Sequence, residues 1–405
     1  MSHGQKAKFR VLIAADTYPP HVNGAAKSCY RLATNLTARG YDVHVVSPHH
    51  TGGPDTVEYH DEATVHRLKS YAAPTHEFYR LVMPRHANRV IDNLVSELSP
   101  DVVHAQCHYM IGDAAISSAE RRRIRLICTN HFMPENLDPF IPGPQFFKNI
   151  VSKRSWYDMG RLMRKANVVT TPTRLSADNM NDKARLDYVV PVSNGIDVVK
   201  YELEEQESIV RHPHPTALFV GRLAVEKNVD VLLKALTMTD PDLNVHAEII
   251  GDGELRDSLR RLADQLGVAD RVVFRGLVSD EELREAYLRA DVFTQPCTAE
   301  LQSLASLEAM SASTPVVLTD AMALPHLVSE GVNGYLFQPN NPEDMARKMN
   351  TVLGASREEQ LAMGQASHYF ASQHDHERIM DILHKIYHGA TSDEVSVMIS
   401  EAKLR

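Results

Sequence analysis

The stretch TAELQSLASLEAM, Thr298 to Met310, sets two carboxylates, Glu300 and Glu308, in a run that is otherwise apolar or uncharged. A buried carboxylate is costly unless it is paired or hydrogen-bonded, so the pair calls for a ligand or an internal partner. The pattern predicts a helix starting near Ser303 or Leu304, with Glu300 in the loop before it and Glu308 in its second turn. The free amides of such a helix start can cradle a phosphate, while carboxylates on either side can accept hydrogen bonds from sugar hydroxyls.

Other positions could serve the same chemistry. FVGRLAVEKNVDVLLKAL places Arg222 and Lys227 between a strand and a helix. A planar fork beside a mobile point charge suits a diphosphate, although for this loop taken alone an exposed surface pair with Glu226 is the better explanation. DTYPPHVNGAA brings a backbone near Gly24 to a helix start, but neither it nor GDGELRDSL, with Gly251 and Gly253, has the full G-x-G-x-x-G spacing of a dinucleotide site. Asp240-Pro241-Asp242 reads as turn chemistry, and the pairs His212/His214 and His374/His376 as solvent-facing histidines. No metal and no other cofactor is expected.

Short apolar runs alternate with helical patterns throughout. FRVLIAAD, YDVHVVSP, DVVHAQC and RLICTNH form one series of strands; TALFVG, VHAEIIGDGE, RVVFRGLVS, ADVFTQP and TPVVLTD form a second. Strands separated by helices imply parallel, doubly wound sheets. The expected fold is α/β, with two Rossmann-like domains, residues 1–195 and 196–375, facing a cleft. A helix over about 376–390 caps the second domain or crosses back to the first, and 391–405 reads as a loosely packed polar tail.

The chain has 405 residues and a net charge of -9. Residues 1–195 carry 24 Lys and Arg against 18 Asp and Glu, and the remainder 19 against 34. A basic face attracts phosphates or anionic lipid, whereas an acidic chain is a poor partner for nucleic acid. Four scattered cysteines form no Cys-x-x-Cys pair, which argues for a reducing, cytoplasmic setting. The N-terminus lacks a signal-peptide pattern, and no apolar run reaches the ~18 residues needed to span a bilayer.

Taken together, GRL..EKN, GDGELRDSL, the Glu-x7-Glu pair, EAM, PVV and GVNGYLF follow the order and spacing of glycosyltransferase family four, which the chain resembles from Val220 to Phe337. ADTYPPHVNGAAKS resembles that family's first glycine loop. The resemblance implies a retaining enzyme of GT-B fold with a nucleotide-sugar donor, UDP-glucose being favoured. It implies that Glu300 and the amides of Leu301, Gln302, Ser303 and Leu304 hold the donor hexose and that Glu308 binds the ribose. Arg222, Lys227 and the backbone near Gly24 would meet the diphosphate, the backbone of Arg275, Gly276 and Leu277 the base, and His131 would sit beside the transferred sugar. His131, Glu300, Arg222 and Lys227 are thus the catalytic candidates. The sequence departs from the family in ELQS, where Leu301, Gln302 and Ser303 replace Gly-Phe-Gly, in Ser313 for a helix-ending glycine, and in His326 for a glutamate.

PGPQFFKNIVSKRSWYDMGRLMRKA mixes Phe146, Phe147 and Trp156 with Lys153, Arg154, Arg161 and Arg164. Such a helix suits an anionic membrane surface, or else a core-packed helix with a solvated basic face. With the basic first half and the likeness of TNHFMPENL and AELQSLASLEAM to bacterial diacylglycerol glycosyltransferases, it favours a lipid acceptor and a peripheral place on the cytoplasmic membrane. A soluble acceptor, a GT-B epimerase or hydrolase, and an idle nucleotide-binding protein are the alternatives.

Overall fold

The computed structural model describes residues 8–21, 23–73, 76–134, 144–203 and 209–401. Pro142 and Gly143 of the basic aromatic segment, and the tail beyond Glu401, lie outside them. The chain divides into two compact units, the first running to Ser193 and resuming over Ile379–Glu401, the second covering Asn194–Arg378.

In chain order the first unit contains β1 (Arg10–Ala14), α1 (Gly24–Ala38), β2 (Asp42–Pro48), β3 (Thr56–Tyr59), β4 (Thr64–Leu68) and the hairpin β5 (Tyr71–Ala73) and β6 (His76–Leu81). There follow α2 (Pro84–Leu98), β7 (Val102–Ala105), α3 (Met110–Arg122), β8 (Arg125–Thr129), α4 (Gln145–Met163), β9 (Val168–Thr171), α5 (Arg174–Lys183) and β10 (Val189–Pro191). Eight strands make one sheet in the order β10-β9-β8-β7-β1-β2-β4-β3, parallel except for β3 against β4. Strands buried on both faces read as unbroken apolar runs, as Val11 to Ala14 do. The Asn23 side chain caps α1 by accepting from the Ala26 amide at 2.8 Å, and Gly40, at φ +86°, ends the turn after Arg39. The hairpin and the short strands β3, β4, β9 and β10 were not among the runs expected from sequence; half-exposed or three- to four-residue strands leave too little pattern.

The second unit contains β11 (Thr216–Val220), α6 (Val229–Leu236), β12 (His246–Ile250), α7 (Arg256–Leu266), β13 (Val272–Gly276), α8 (Asp280–Arg289) and β14 (Val292–Gln295). It continues through α9 (Leu304–Ser311), β15 (Val316–Thr319), β16 (Gly334–Phe337), α10 (Pro342–Leu353) and α11 (Arg357–Ser372). Its six strands are parallel, in the order β13-β12-β11-β14-β15-β16. Alternate residues feed two cores. Ala217, Phe219 and Ile249 face Leu232, Leu259 and Met349 of α6, α7 and α10, whereas Leu218, Ile250 and Phe293 face Tyr287, Leu307 and Ala371 of α8, α9 and α11. Both sheets are therefore doubly wound. Ser313, where a helix-ending glycine was expected, does adopt the left-handed backbone, at φ +58°.

The last two helices are α12 (His376–Tyr387) and α13 (Ser392–Glu401). Buried Tyr387 meets His104 Nδ1 at 2.7 Å, and Arg125 donates to the carbonyls of Ile386 and Ala390, each at 2.7 Å. The expected loose tail is corrected here: Val395 and Ile399, four residues apart and so on one helical face, are buried, and α13 packs on β10.

Burial sets a pH dependence in this unit. It holds His104 down to about 3, helped by the charge of His131, and His108 down to about 4 against the pull of Asp158, from an ordinary value near 6.5. The unfolded chain takes up protons below 6.5 that the native state refuses, so the stabilisation is complete above pH 6.5 and is lost as pH falls toward 4. We expect the urea midpoint at pH 4.5 to lie well below that at pH 7.5, read from the fluorescence of the single tryptophan, Trp156, which is buried in this unit. A midpoint independent of pH over that range would remove the buried histidines from the stability balance.

Candidate functional site

In open α/β sheets ligands sit beyond the carboxyl ends of the strands where the strand order reverses. In the second unit that point lies between β11 and β14, and the loops leaving these strands carry Lys227 and Glu300. The Lys227 ammonium donates directly to Glu300 Oε1, with both side chains mostly buried. Burial works against the lysine's charge, but Glu300 and its neighbours outweigh it and hold the ammonium's pKa above the ordinary value. The two loops are tied together: Thr298 N–H donates to the Glu226 carbonyl at 3.3 Å, and Asn228 Nδ2 to Thr298 Oγ1 at 3.2 Å.

Helix α9 begins at Leu304, with Ser303 as its cap accepting from Ser306 N–H at 3.2 Å. Leu301 and Ser303 are buried, and the Gln302 side chain accepts from the Asn194 amide at 2.9 Å, which fixes the loop where ELQS departs from the family pattern. Glu308, 2% exposed, accepts from the Tyr287 hydroxyl at 3.0 Å. Each of the two carboxylates thus has a protein partner.

The other expected positions behave less uniformly. Arg222 donates to Glu226 at 2.6 Å, the surface pairing that sequence left open. Gly276 takes φ +72° beside exposed Leu277, while the Arg275 side chain reaches back to Glu248 at 3.5 Å. Gly24 opens α1 with nothing near the place of a Cβ, so its lack of a side chain leaves space and serves no unusual backbone angle. Asp240 accepts from the Asp242 amide at 3.0 Å as a turn cap. His212 is exposed, as expected, while its ring meets buried Glu248 at 3.2 Å; the solvent-facing reading is corrected for His214, which is half-buried because its ring stacks on that of His246.

In the first unit the strand order reverses between β1 and β7. Asp16 follows β1 and accepts from the Ile111 amide at 3.1 Å near the start of α3, and Gln106 follows β7. His131, just past β8, donates through Nε2 to Gln106 Oε1 at 2.6 Å. Burial pushes the His131 imidazole down to about 4, so it is neutral at pH 7. Sequence reasoning passed over Asp16 and Gln106, though Asp16 is the first polar residue after the apolar run of β1 and Gln106 the first residue beyond β7.

Of the proposed membrane residues, Phe146, Phe147, Lys153, Arg154 and Arg161 are exposed on α4 and Arg164 at its C-terminal cap, joined by Ile150 and Tyr157. Trp156 is not: it is 4% exposed, packed in the core with Lys183 over its ring, because its face of α4 is shared by Met159 and Met163. Arg154 and Arg161 flank Asp158 at 2.9 and 3.7 Å, which trims the basic charge of that face.

Two family models fit the chain consecutively, Glycosyltransferase Family 4 over residues 22–200 and Glycosyl transferases group 1 over residues 201–368. The chain belongs to the family-four glycosyltransferases. It is 26% identical over 344 residues to the alpha-monoglucosyldiacylglycerol synthase of Streptococcus pneumoniae, covering 81% of this glycosyltransferase and 75% of that one. It is 27% identical to a GDP-mannose-dependent alpha-mannosyltransferase of Mycolicibacterium smegmatis, over 86% and 90% of the two chains. The solved structure of Anabaena HepE in complex with UDP-glucose superposes with a TM-score of 0.68 at 19% identity, over 93% and 99% of the chains. The fold is GT-B.

Proposed function

We propose that this glycosyltransferase moves a hexose, with retention of configuration, from a nucleotide sugar to a hydroxyl of a membrane lipid such as diacylglycerol. The observation that carries the reading is the Lys227–Glu300 pair at the strand-order reversal, beside the capped start of α9. An ammonium has three donors and a guanidinium five, so Lys227 and Arg222 can hold their carboxylates and still meet a diphosphate. Glu300 then orients the hexose hydroxyls and Glu308 the ribose. No second carboxylate is assigned as nucleophile; the acceptor attacks from the face the phosphate leaves, the phosphate takes its proton, and Lys227, Arg222 and the α9 amides stabilise the growing charge.

UDP-glucose is the donor we favour, since HepE binds it on the same fold. GDP-mannose is the competing donor, supported by the mannosyltransferase relative. Incubation with a panel of labelled nucleotide sugars, with and without lipid extract, tests the reading. Lipid-linked sugar is expected; free sugar released without any acceptor would make the protein a hydrolase.

We further propose a metal-independent reaction, with side-chain cations in place of a divalent ion. Initial rates should be unchanged in EDTA; a rate lost to chelator and restored by magnesium or manganese would overturn this.

The lipid acceptor rests on the exposed Phe146, Phe147, Ile150 and Tyr157 beside Lys153, Arg154, Arg161 and Arg164, and on the diacylglycerol-glycosylating relative. Each basic residue near an anionic surface is worth about 1 kcal/mol, less in salt. Neutralising Lys153, Arg154, Arg161 and Arg164 together should release the protein from phosphatidylglycerol vesicles in a sedimentation assay while UDP binding persists. Wild-type protein that stays in the supernatant at low salt would shift the reading to a soluble acceptor.

A further inference from the structure

Arg67, near the carboxyl end of β4, is 3% exposed. Its Nε donates to Glu58 at 3.0 Å and its Nη2 to the Pro19 carbonyl at 2.6 Å, and the guanidinium stands 5.5 Å over the Tyr18 ring. The remaining Nη1 is buried and has no partner among the described residues, and the same is true of Nδ1 of His21 and Nδ1 of His50. Hydrogen bonds and ring contacts gather the groups: the His21 amide donates to the Tyr18 carbonyl at 3.3 Å, two residues beyond the Pro19 carbonyl that Arg67 holds, His50 stacks on His49, and the charges of Arg67, His50 and Arg80 all bear on His21. Arg80 is pinned in place by bonds to the Ser70 hydroxyl at 3.0 Å and the Ser70 carbonyl at 3.2 Å, and Ser70 in turn donates to the His49 carbonyl at 2.5 Å. The nearby acids are engaged, Glu58 by Arg67 and His60, and Glu62 by the Tyr18 hydroxyl.

A buried, unpaired guanidinium N–H is expensive, and three orphaned nitrogens in one neighbourhood mark a place built for an acceptor-rich group. The cluster collects the ends of β1, β2 and β4, the side of the sheet on which ligands bind. No acidic residue occupies the first turn of α1 close by, so that helix's N-terminal field also favours an anion. β2 and β4 lie one and two strands beyond β1, or roughly 5–10 Å from the strand-order reversal, the reach of a lipid headgroup.

We propose that Arg67, Arg80, His21 and His50 form a subsite for an oxyanion of the phosphate class carried by the acceptor. The inference rests on the transfer reading and narrows it, because a phosphate-bearing acceptor is an acidic lipid, in place of neutral diacylglycerol. Phosphate supplies oxygens enough for Nη1 and both imidazoles at once, and a charge to match the guanidinium.

Two measurements test it on the full chain. The first follows the histidine side-chain resonances during titration with inorganic phosphate, with chloride at equal ionic strength as reference. His21 and His50 should shift saturably with phosphate alone, and about tenfold more weakly in Arg67→Lys, which keeps the charge and loses the fork. Arg80→Gln, which leaves the buried Arg67 untouched, is the second variant should the first fold poorly. The second compares dihexanoyl phosphatidylglycerol with dihexanoylglycerol as micelle-free acceptors. Both variants should raise KM for the phosphate-bearing acceptor about tenfold and leave the donor KM unchanged. Equal shifts with chloride, or a rise in donor KM in place of acceptor KM, would overturn the subsite. Transfer to neither acceptor would sink the transfer reading and the acceptor assignment together, while the phosphate titration separately decides whether the oxyanion site exists.

Discussion

Glu300→Gln and Lys227→Met should each lower kcat/KM for sugar transfer by about 10²–10³, equivalent to roughly 3–4 kcal/mol of barrier. The expectation comes from their direct bond at the β11/β14 reversal and from the mostly buried setting of both groups. The two variants should differ in binding. Removing the ammonium takes a cation from the diphosphate, so Lys227→Met should weaken UDP as well as slow transfer, whereas Glu300→Gln keeps the shape and should leave UDP affinity within a few-fold. The double variant should lose far less than the product of the single losses, because coupled groups are not additive. Calorimetric titration of UDP beside initial rates decides this. Full turnover in Glu300→Gln would remove the pair from the chemistry and leave it a structural tie between two loops.

A large loss of stability should come from Gly251→Ala. Gly251 has φ +132°, and a Cβ there would lie 1.9 Å from the Gly221 carbonyl oxygen, a backbone atom on the neighbouring strand end that cannot rotate away. Strain of backbone and forced displacement of a packed loop add, so a loss of about 4 kcal/mol or more is expected, enough to empty the soluble fraction of a marginally stable domain. Gly267→Ala is the matched comparison: φ +68° with nothing within reach of the new methyl. It should cost only about 1–2 kcal/mol. Equal urea midpoints for the two variants would refute the steric account.

The pair of glycines also shows what was legible in the sequence. GDGELRDSL looked like an incomplete nucleotide fingerprint, and its spacing alone carried little; the structure shows Gly251 and Gly253 crowded against the backbone of the Arg222 loop, at Gly221 and Leu223. The alternating strands and helices, the start of α9 and the membership of the family were all readable, since each rests on local pattern or on motifs in order. Position on a sheet was not, because strand order is a property of the whole chain: only with β14 beside β11 does Lys227 meet Glu300. Trp156 misled for the opposite reason. An aromatic residue in a basic amphipathic run has the same local pattern whether it faces lipid or core, and only the packing of Met159 and Met163 beside it decides. Arg67 was invisible, as nothing in HRLKS announces that one guanidinium nitrogen is buried without a partner.

The first unit is discontinuous along the chain, for it is closed by Tyr387 on His104 and by Arg125 on the carbonyls at Ile386 and Ala390. During synthesis this has a temporal meaning. The sheet from β1 to β10 leaves the ribosome first, yet His104 stays without its phenol and Arg125 without its carbonyls until the entire second unit has been made. A nascent chain that stalls anywhere between about residues 200 and 380 therefore leaves β10 uncovered by α13 and the core half-satisfied, a species prone to aggregate or to be held by chaperones. The N-terminal unit expressed alone inherits the same defect, and supplying α12 and α13 in trans, as a separate peptide, is the natural way to repair it.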